Sequence, residues 1–403
     1  MDTQKRNHGD DEPGCAKKIK KDDVVDSKDS AYPLWQFDLE LGLQPLTKPV
    51  PVMILGCGTP GRSMGWYHAV QLLEGRCPSL QLHTIVEPFL LGPGAGSKDG
   101  DAFREWVAKE ASTVQICQKA KDAKDLPGGS MLAIVACRTA DMPGLFQEAI
   151  EAGCTHVLME KPGAASPEEL RQMASTARDK GIETFVGYNK NASMYAAEAQ
   201  KQLRKLTANE GMQGVVVEYY HGNAFRPMDL AECFPRCAEG IMKNMCCHEL
   251  ALLVAFHGLE LSTLATVDVD KANTSLETHG GCTDFSRIAL DITMTDGRRL
   301  RLQADRCGGQ LSSASVYVAG VKELRAEMPS PQHKQIITEL EVRRPGAQAY
   351  FYAQDREYAL VKEWCAAAVM SKPAPGLVSL EQAAKVLELA GYLTEVLTKA
   401  VAS

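Results

Sequence analysis

The 403-residue chain has no uninterrupted apolar run near the roughly 20 residues that a membrane-crossing helix needs. Its first residues are charged where a secretory leader would be hydrophobic, so no membrane partner is expected. An excess of positive charge is missing too: 44 Lys and Arg against 51 Asp and Glu leave a net charge of −7. That balance speaks against a grip on a nucleic-acid backbone and for a small-molecule ligand. The 13 cysteines are odd in number and irregularly spaced, unlike the framework of a disulfide-bonded secreted domain. Reduced thiols in a cytoplasmic protein are the expectation. No internal repeat recurs at a fixed period.

What is present is a chain with 45% apolar residues, enough for real cores. The stretch from Met1 to about Asp29 has dense alternating charge and few apolar residues, so it reads as disordered. Within it Lys17, Lys18, Lys20 and Lys21 form a basic cluster, readable as a nuclear-import signal or as a solvated tail. From Val50 onward, short apolar runs alternate with amphipathic stretches, the pattern of a parallel sheet with crossover helices. Five strands are expected, at 52–55, 82–86, 132–136, 157–159 and 184–186. A helix should start at Ser166-Pro167-Glu168-Glu169, with Ser166 as cap and Leu170, Met173, Ala174 and Ala177 as its apolar face. Beyond Gly187 the runs lengthen and lose their interposed helices: 214–220, 264–269, 286–295, 299–304 and 315–318, with Asp296-Gly297 as a hairpin turn. Two helices close the chain, at about 350–369 and 380–400, the second capped by Ser379 and Gln382.

The fold class expected is therefore α/β: an N-terminal doubly wound parallel sheet, then an α+β domain with a mostly antiparallel open sheet. The boundaries are 1–46 for a disordered arm and lead-in, 47–187 for a dinucleotide-binding domain, and 188–403 for a substrate and oligomerisation domain. An open sheet face commonly needs covering, so a homodimer or homotetramer through the C-terminal sheet is expected.

The first strand runs into Gly56-Cys57-Gly58-Thr59-Pro60-Gly61, a G-x-G-x-x-G between a strand and a helix. Glycines there let the backbone approach a pyrophosphate, whose charge meets the helix N-terminus. Gly56, Gly58, Thr59 and Gly61 are thus candidate cofactor-binding residues. Gly65 lies further along the same loop, which leaves open which glycine faces the pyrophosphate. Glu87 follows the second strand, where a carboxylate can accept from both ribose hydroxyls and would repel a 2′-phosphate. NAD is expected, with NADP kept possible by Arg62, which could reach a phosphate.

Glu160-Lys161-Pro162 ends a later strand, and with the preceding 149–159 helix, turn and strand it resembles the Gfo/Idh/MocA oxidoreductases, as does Phe185-Val186-Gly187-Tyr188-Asn189-Lys190. The resemblance runs from about residue 50 to the C-terminus. It implies a Rossmann domain, a cis Lys161–Pro162 bond, Glu160 and Lys161 beside the nicotinamide, and Tyr188, Asn189 and Lys190 at the entry to the substrate domain. It also implies a catalytic histidine four residues after an aspartate. Here the histidine is His248 and the aspartate is replaced by Asn244, which can bond a substrate hydroxyl but cannot take its proton. Lys161 and His248 are the catalytic candidates, one to stabilise oxyanion charge and one to move a proton.

The reading is an NAD(P)-dependent dehydrogenase for a sugar, cyclitol or related diol. Two alternatives stay open: a cofactor-binding regulatory protein without turnover, which Asn244 and the basic arm favour, and an imine or tetrapyrrole-type reductase. Cys233, Cys237, Cys246, Cys247 and His248 invite a metal, but their spacing lacks the paired-knuckle pattern, and no metal is expected. Tyr219, Tyr220, His221, Asn223 and Arg226 follow a strand and could line a polar pocket or an exposed sheet face.

Overall fold

A computed structural model describes residues 45–209, 214–374 and 376–402. The charged arm and its lysine cluster lie outside the described residues. Among the described residues no helix is long and apolar enough to cross a membrane.

The first sheet is built from runs such as β1, Val50–Leu55, in which every residue but Pro51 is buried. Strands that are apolar on both faces belong in the middle of a helix-covered parallel sheet. Beside β1 stand β2 (Leu80–Val86), β3 (Gln115–Cys117), β4 (Leu132–Val135), β5 (His156–Met159) and β6 (Glu183–Val186), all parallel, in the order β3-β2-β1-β4-β5-β6. This is the doubly wound order whose crevice lies beyond the strand ends at β1 and β4. Five strands are expected from sequence and six are found. The extra one, β3, is three residues long and pairs Thr84 with Gln115, too short to stand out as an apolar run.

The crossover helices are α1 (Met64–Leu73), α2 (Lys98–Glu110), α3 (Met142–Glu151) and α4 (Pro167–Asp179). Helix α4 follows its sequence signals closely. Ser166 Oγ accepts from the Glu169 amide at 3.1 Å, and Leu170, Met173, Ala174 and Ala177 are its buried residues. Glu169 differs in one detail, since its carboxylate accepts from the Ala165 amide rather than from Ser166.

Helix α5 (Met194–Asn209) leads to the second sheet, made of β7 (Val215–Gly222), β8 (Leu264–Val269), β9 (Ser275–His279), β10 (Cys282–Met294), β11 (Arg299–Asp305), β12 (Leu311–Val318) and β13 (Val321–Met328). Their path is β13-β12-β7-β11-β10-β8, with β9 paired to β10. Only β7 and β11 run parallel; the other pairs are antiparallel. The Asp296-Gly297 turn joins β10 to β11, with Gly297 at φ +84. Strands β9 and β13 are additions to the sequence reading, and both are half-exposed, without a continuous apolar run.

Three short helices, α6 (Leu230–Arg236), α7 (Ile241–Asn244) and α8 (Cys247–His257), and the closing α9 (Pro331–Arg343), α10 (Ala349–Ala353), α11 (Asp355–Val369) and α12 (Leu380–Ala402) complete the chain. The single helix expected over 350–369 is broken at Gln354, whose backbone leaves helical geometry at φ −125. Helix α11 then packs on α1. Asp355 is its anchor: its carboxylate pairs with Arg76 and accepts from Tyr67 Oη and Gln71 Nε2, each at 2.7 Å. Three donors around one buried carboxylate satisfy a charge that burial alone would penalise. Helix α12 starts with the expected reciprocal cap, Gln382 amide to Ser379 Oγ and Ser379 amide to Gln382 Oε1, and buries Val386, Leu389, Ala390, Leu393 and Leu397.

Candidate active site

The glycine turn after β1 is shaped by steric need. Gly56 and Gly58 have φ +85 and +74, a region costly to residues with a Cβ. A Cβ on Gly56 would lie 2.8 Å from the Ala136 carbonyl, and one on Gly58 would collide with Ser63. Gly61 does not play the packing part that the motif assigns to its third glycine: a Cβ there would meet only the Gly346 carbonyl, at 3.6 Å. Gly65 plays it. A Cβ on Gly65 would run into the Gly56 carbonyl and the Cys57 backbone, so α1 can lie against the end of β1 only because residue 65 lacks a side chain. The packing glycine therefore lies beyond the turn, in the first turn of α1.

Glu87 is buried at the end of β2 beside this turn. Its Oε2 accepts from the Gly58 amide at 2.6 Å, and its Oε1 from the Phe89 and Leu90 amides at 3.1 and 3.0 Å. Glu87 also lines the main cavity, so the acid stiffens the turn at the cavity wall. Arg62 is exposed and is not among the cavity-lining residues. The expectation that it could reach a phosphate is not supported by its placement.

That cavity has a volume of about 1580 Å³. One end is lined by Gly56, Gly58, Thr59 and Glu87, and the other by Lys161, Asn189, Lys190, Asn244 and His248. The Lys161–Pro162 bond is cis, as the resemblance implied. Lys161 Nζ donates to the main-chain carbonyl of Asn244 at 3.1 Å, which ties the end of β5 to α7. Glu160 also lines the cavity and bonds His68 on α1.

Asn244 and His248, four residues apart, sit on two helices, with Met245 and Cys246 between α7 and α8, and both reach the cavity. The His248 ring is buried, lies edge-on to Tyr188 with centroids 6.1 Å apart, and its Nδ1 has no hydrogen-bond partner among the described residues. Burial, with Lys190 and Lys161 nearby, pushes its pKa well below the ordinary value, so it is neutral near pH 7. Tyr188 itself is fully buried behind His248 and does not line the cavity; as a substrate contact it is corrected to a supporting ring. Asn189 does line it, and donates to Gln354 Oε1 at 2.8 Å.

Lys190 is the centre of a buried polar cluster. Its Nζ lies 2.9 Å from Glu249 Oε1, 2.8 Å from Ser312 Oγ and 2.9 Å from His221 Nδ1. The same His221 nitrogen lies 2.8 Å from Glu249 Oε2. Burial alone would raise the Glu249 carboxyl, but His221 and Lys190 beside it hold it well below the usual carboxylate range. Burial pulls Lys190 down from its ordinary value, against the pull of Glu249. Of the five residues proposed after β7, His221 and Asn223 line the cavity. Tyr219 is buried against His257 at 3.0 Å, and Arg226 is turned outward onto Asp229.

Sequence reasoning missed Glu249 and Lys362. A signal for Glu249 existed: it is the one carboxylate in the otherwise apolar helix Cys247–His257, and a lone buried charge needs a partner. Among the described residues no group of three His, Cys, Asp or Glu side chains is placed to hold a metal. Cys233 instead accepts from Arg306 Nη1 at 3.3 Å.

The residues at the turn fit a dinucleotide: a cradle that any Cβ would fill, a helix N-terminus behind it, and a carboxylate where a ribose belongs. Among curated proteins none matches the chain. Among solved structures it is similar to a scyllo-inositol dehydrogenase from Lactobacillus casei with bound NAD(H) and scyllo-inositol, at 13% identity, covering 88% of this chain and 100% of that one with a TM-score of 0.62. It is similar to a myo-inositol dehydrogenase from Corynebacterium glutamicum, at 15% identity over 87% and 97% of the chains with a TM-score of 0.62. A myo-inositol 2-dehydrogenase from Lactobacillus plantarum shares 15% identity over 88% and 98% with a TM-score of 0.60. At these identities the likeness is one of fold. Residues 99–188, which include Glu160-Lys161-Pro162, match the model of the oxidoreductase family with an NAD-binding Rossmann fold. Through that segment the chain is similar to the Gfo/Idh/MocA oxidoreductases.

Proposed function

We propose that the protein is a cytoplasmic NAD-dependent dehydrogenase that oxidises a secondary hydroxyl of a small polyhydroxylated molecule, such as a cyclitol or sugar. The observation that carries this reading is the single cavity lined at one end by the glycine turn and Glu87 and at the other by Lys161 and His248. Its volume of about 1580 Å³ exceeds the roughly 300–1,000 Å³ of an ordinary small-molecule site. There is room for a dinucleotide and a second molecule together.

In this reading the part around 47–187 holds the cofactor and the part around 188–403 the substrate. Gly56, Gly58 and Thr59 lie along the diphosphate, the first turn of α1 faces its charge, and Glu87 takes the ribose hydroxyls. Bound there, the nicotinamide supplies a hydride acceptor. The chain does the rest. Lys161, anchored on the Asn244 carbonyl, brings positive charge to the oxygen that gains negative charge as the O–H proton leaves. Asn189 and Asn244 offer donors and acceptors to neighbouring hydroxyls, which suits a substrate with several of them. Glu87 disfavours a 2′-phosphate, and Arg62 does not line the site to welcome one, so NAD is preferred over NADP. A homo-oligomer through the second sheet completes the reading, because that sheet's outer face carries exposed and half-exposed strands; sedimentation gives the copy number.

A second reading, a cofactor-binding protein without turnover, is favoured by one observation: Asn244 brings no charge to His248, whose Nδ1 lacks a partner among the described residues. Absorbance of reduced nicotinamide, followed with a panel of cyclitols, sugars and diols, separates the two. Growth of the reduced band with one of them supports the dehydrogenase; tight NADH binding with no exchange to any alcohol or carbonyl supports the second.

A further inference from the structure

Two imidazoles reach the substrate end of the cavity, and their surroundings differ. His248 has no hydrogen-bond partner at Nδ1 among the described residues, so nothing there sets which of its nitrogens carries the proton. His221, whose ring centroid is 6.4 Å away, has its Nδ1 placed 2.8 Å from Glu249 Oε2. A carboxylate can only accept, so this contact calls for a proton on Nδ1 and a lone pair on Nε2. Lys190 Nζ lies close to the same nitrogen, but it has two other acceptors, Glu249 Oε1 and Ser312 Oγ. Ser312 and Lys190 come from β12 and from the turn after β6, and Glu249 from α8. Three separate elements thus converge on one ring.

Resting on the dehydrogenase reading above, we propose that His221, held by Glu249 and positioned by Lys190 and Ser312, takes the substrate's hydroxyl proton in place of His248. The O–H bond breaks toward His221 Nε2, the C–O bond becomes C=O, and the two electrons of the C–H bond leave with the hydride for the nicotinamide. The ring becomes an imidazolium whose Nδ1–H still faces the Glu249 carboxylate, so the new charge is met where it forms. The geometry is that of an imidazole backed by a carboxylate, a device that fixes the tautomer and stabilises the protonated ring. Asn223, two residues further along, lines the same wall, and its side chain bonds the His221 ring, a contact that the substrate hydroxyl displaces. His248, edge-on to Tyr188, then shapes the cavity wall.

The test has two arms. In the protein free of cofactor and substrate, nitrogen-15 NMR of labelled histidines, with His221 assigned by its loss in His221→Gln, reads the tautomer directly. The expected result is a protonated Nδ1 on His221, replaced by a mixture or by the other tautomer in Glu249→Gln. A His221 that carries its proton on Nε2 in the unmodified protein overturns the proposal, since no lone pair would then await the substrate. In the second arm, kcat of His221→Gln and His248→Gln is compared with a substrate from the panel. A fall on the order of 10²–10⁴ in kcat for His221→Gln, with His248→Gln reduced less than tenfold and changed mostly in KM, supports it; the reverse ranking overturns it. Absence of NAD(H) binding to the unmodified protein, read by quenching of tryptophan emission, would instead overturn the dehydrogenase reading itself.

Discussion

Glu160 Oε1 and His68 Nε2 lie 2.8 Å apart, tying the strand end that presents Lys161 to the helix that follows the glycine turn. The other ring nitrogen, Nδ1, is 3.0 Å from Lys362 Nζ on α11, and that ammonium also donates to Gln71 Oε1 at 2.6 Å and to the Tyr358 carbonyl at 2.9 Å. A carboxylate only accepts, so His68 carries its proton on Nε2 and gives it to Glu160, which leaves Nδ1 to accept from Lys362. Burial and the Lys362 charge lower the His68 pKa, consistent with a neutral ring. Replacing Lys362 by Met leaves His68 Nδ1 and Gln71 Oε1 without their donor. A loss of about 1–3 kcal/mol in urea unfolding is expected, the penalty of an unpaired buried acceptor. Unchanged stability would mean that this chain of bonds carries little.

Gly61 and Gly65 give a sharper contrast. Gly65→Ala puts a Cβ into the Gly56 carbonyl and must push α1 off the end of β1. Gly61→Ala has room, although φ +78 strains it, by about 1–2 kcal/mol. NAD affinity measured by calorimetry is expected to fall more than tenfold for Gly65→Ala and less than threefold for Gly61→Ala. If the two alanines act alike, the assignment of Gly65 as the packing glycine is wrong.

Glu87 has a double task, so its replacement should show twice. Glu87→Gln keeps an acceptor for amides but loses the charge, and it is expected to narrow the preference for NAD over NADP at least tenfold while keeping the fold. Glu87→Ala frees the Gly58, Phe89 and Leu90 amides, and should also lower the melting temperature. Binding curves for both dinucleotides, set beside thermal melts, decide the matter.

For Lys161, the expectation concerns rate rather than affinity. Lys161→Ala removes the cation and its tie to the Asn244 carbonyl. A fall in kcat of about 10²–10³, as for loss of a group facing developing oxyanion charge, is expected, with the NADH dissociation constant changed less than threefold. Lys161→Arg keeps the charge and should recover part of the rate.

Acid stability has a sign that can be worked out at His257. Burial, with Arg298 nearby, lowers its pKa from 6.5 to about 4. Between those values the unfolded chain binds the proton and the folded one does not, so stability drops as pH falls from about 6.5 toward 4. The loss is at most about 3 kcal/mol at roughly 1.36 kcal/mol per unit. His221 and His248 are lowered in the same direction and steepen the acid limb. His257→Gln should lose less of its urea midpoint between pH 7 and pH 5 than the parent does, the remaining decline being carried by His221 and His248. An equally steep decline in the variant would show that other groups carry the acid sensitivity.

Local order along the chain made much of this legible without coordinates. The apolar runs of β1, β4 and β5, the caps at Ser166 and Ser379, the Asp296-Gly297 turn and the strand-glycine-helix junction each depend on residues a few positions apart, so their physics is complete within a short window. The neighbourhoods of Lys161 and Glu87 were legible for the same reason. What could not be read there is any contact that closes a long loop. Glu249 meets Lys190 and His221 from 59 and 28 positions away, and Lys362 reaches His68 across 294. A buried charge announces that it needs a partner, but only the packing of helix on sheet chooses which. The same holds for Gly61 and Gly65: they are four residues apart in sequence, and it is the distance between the helix and the end of β1 that decides which of them had to be glycine.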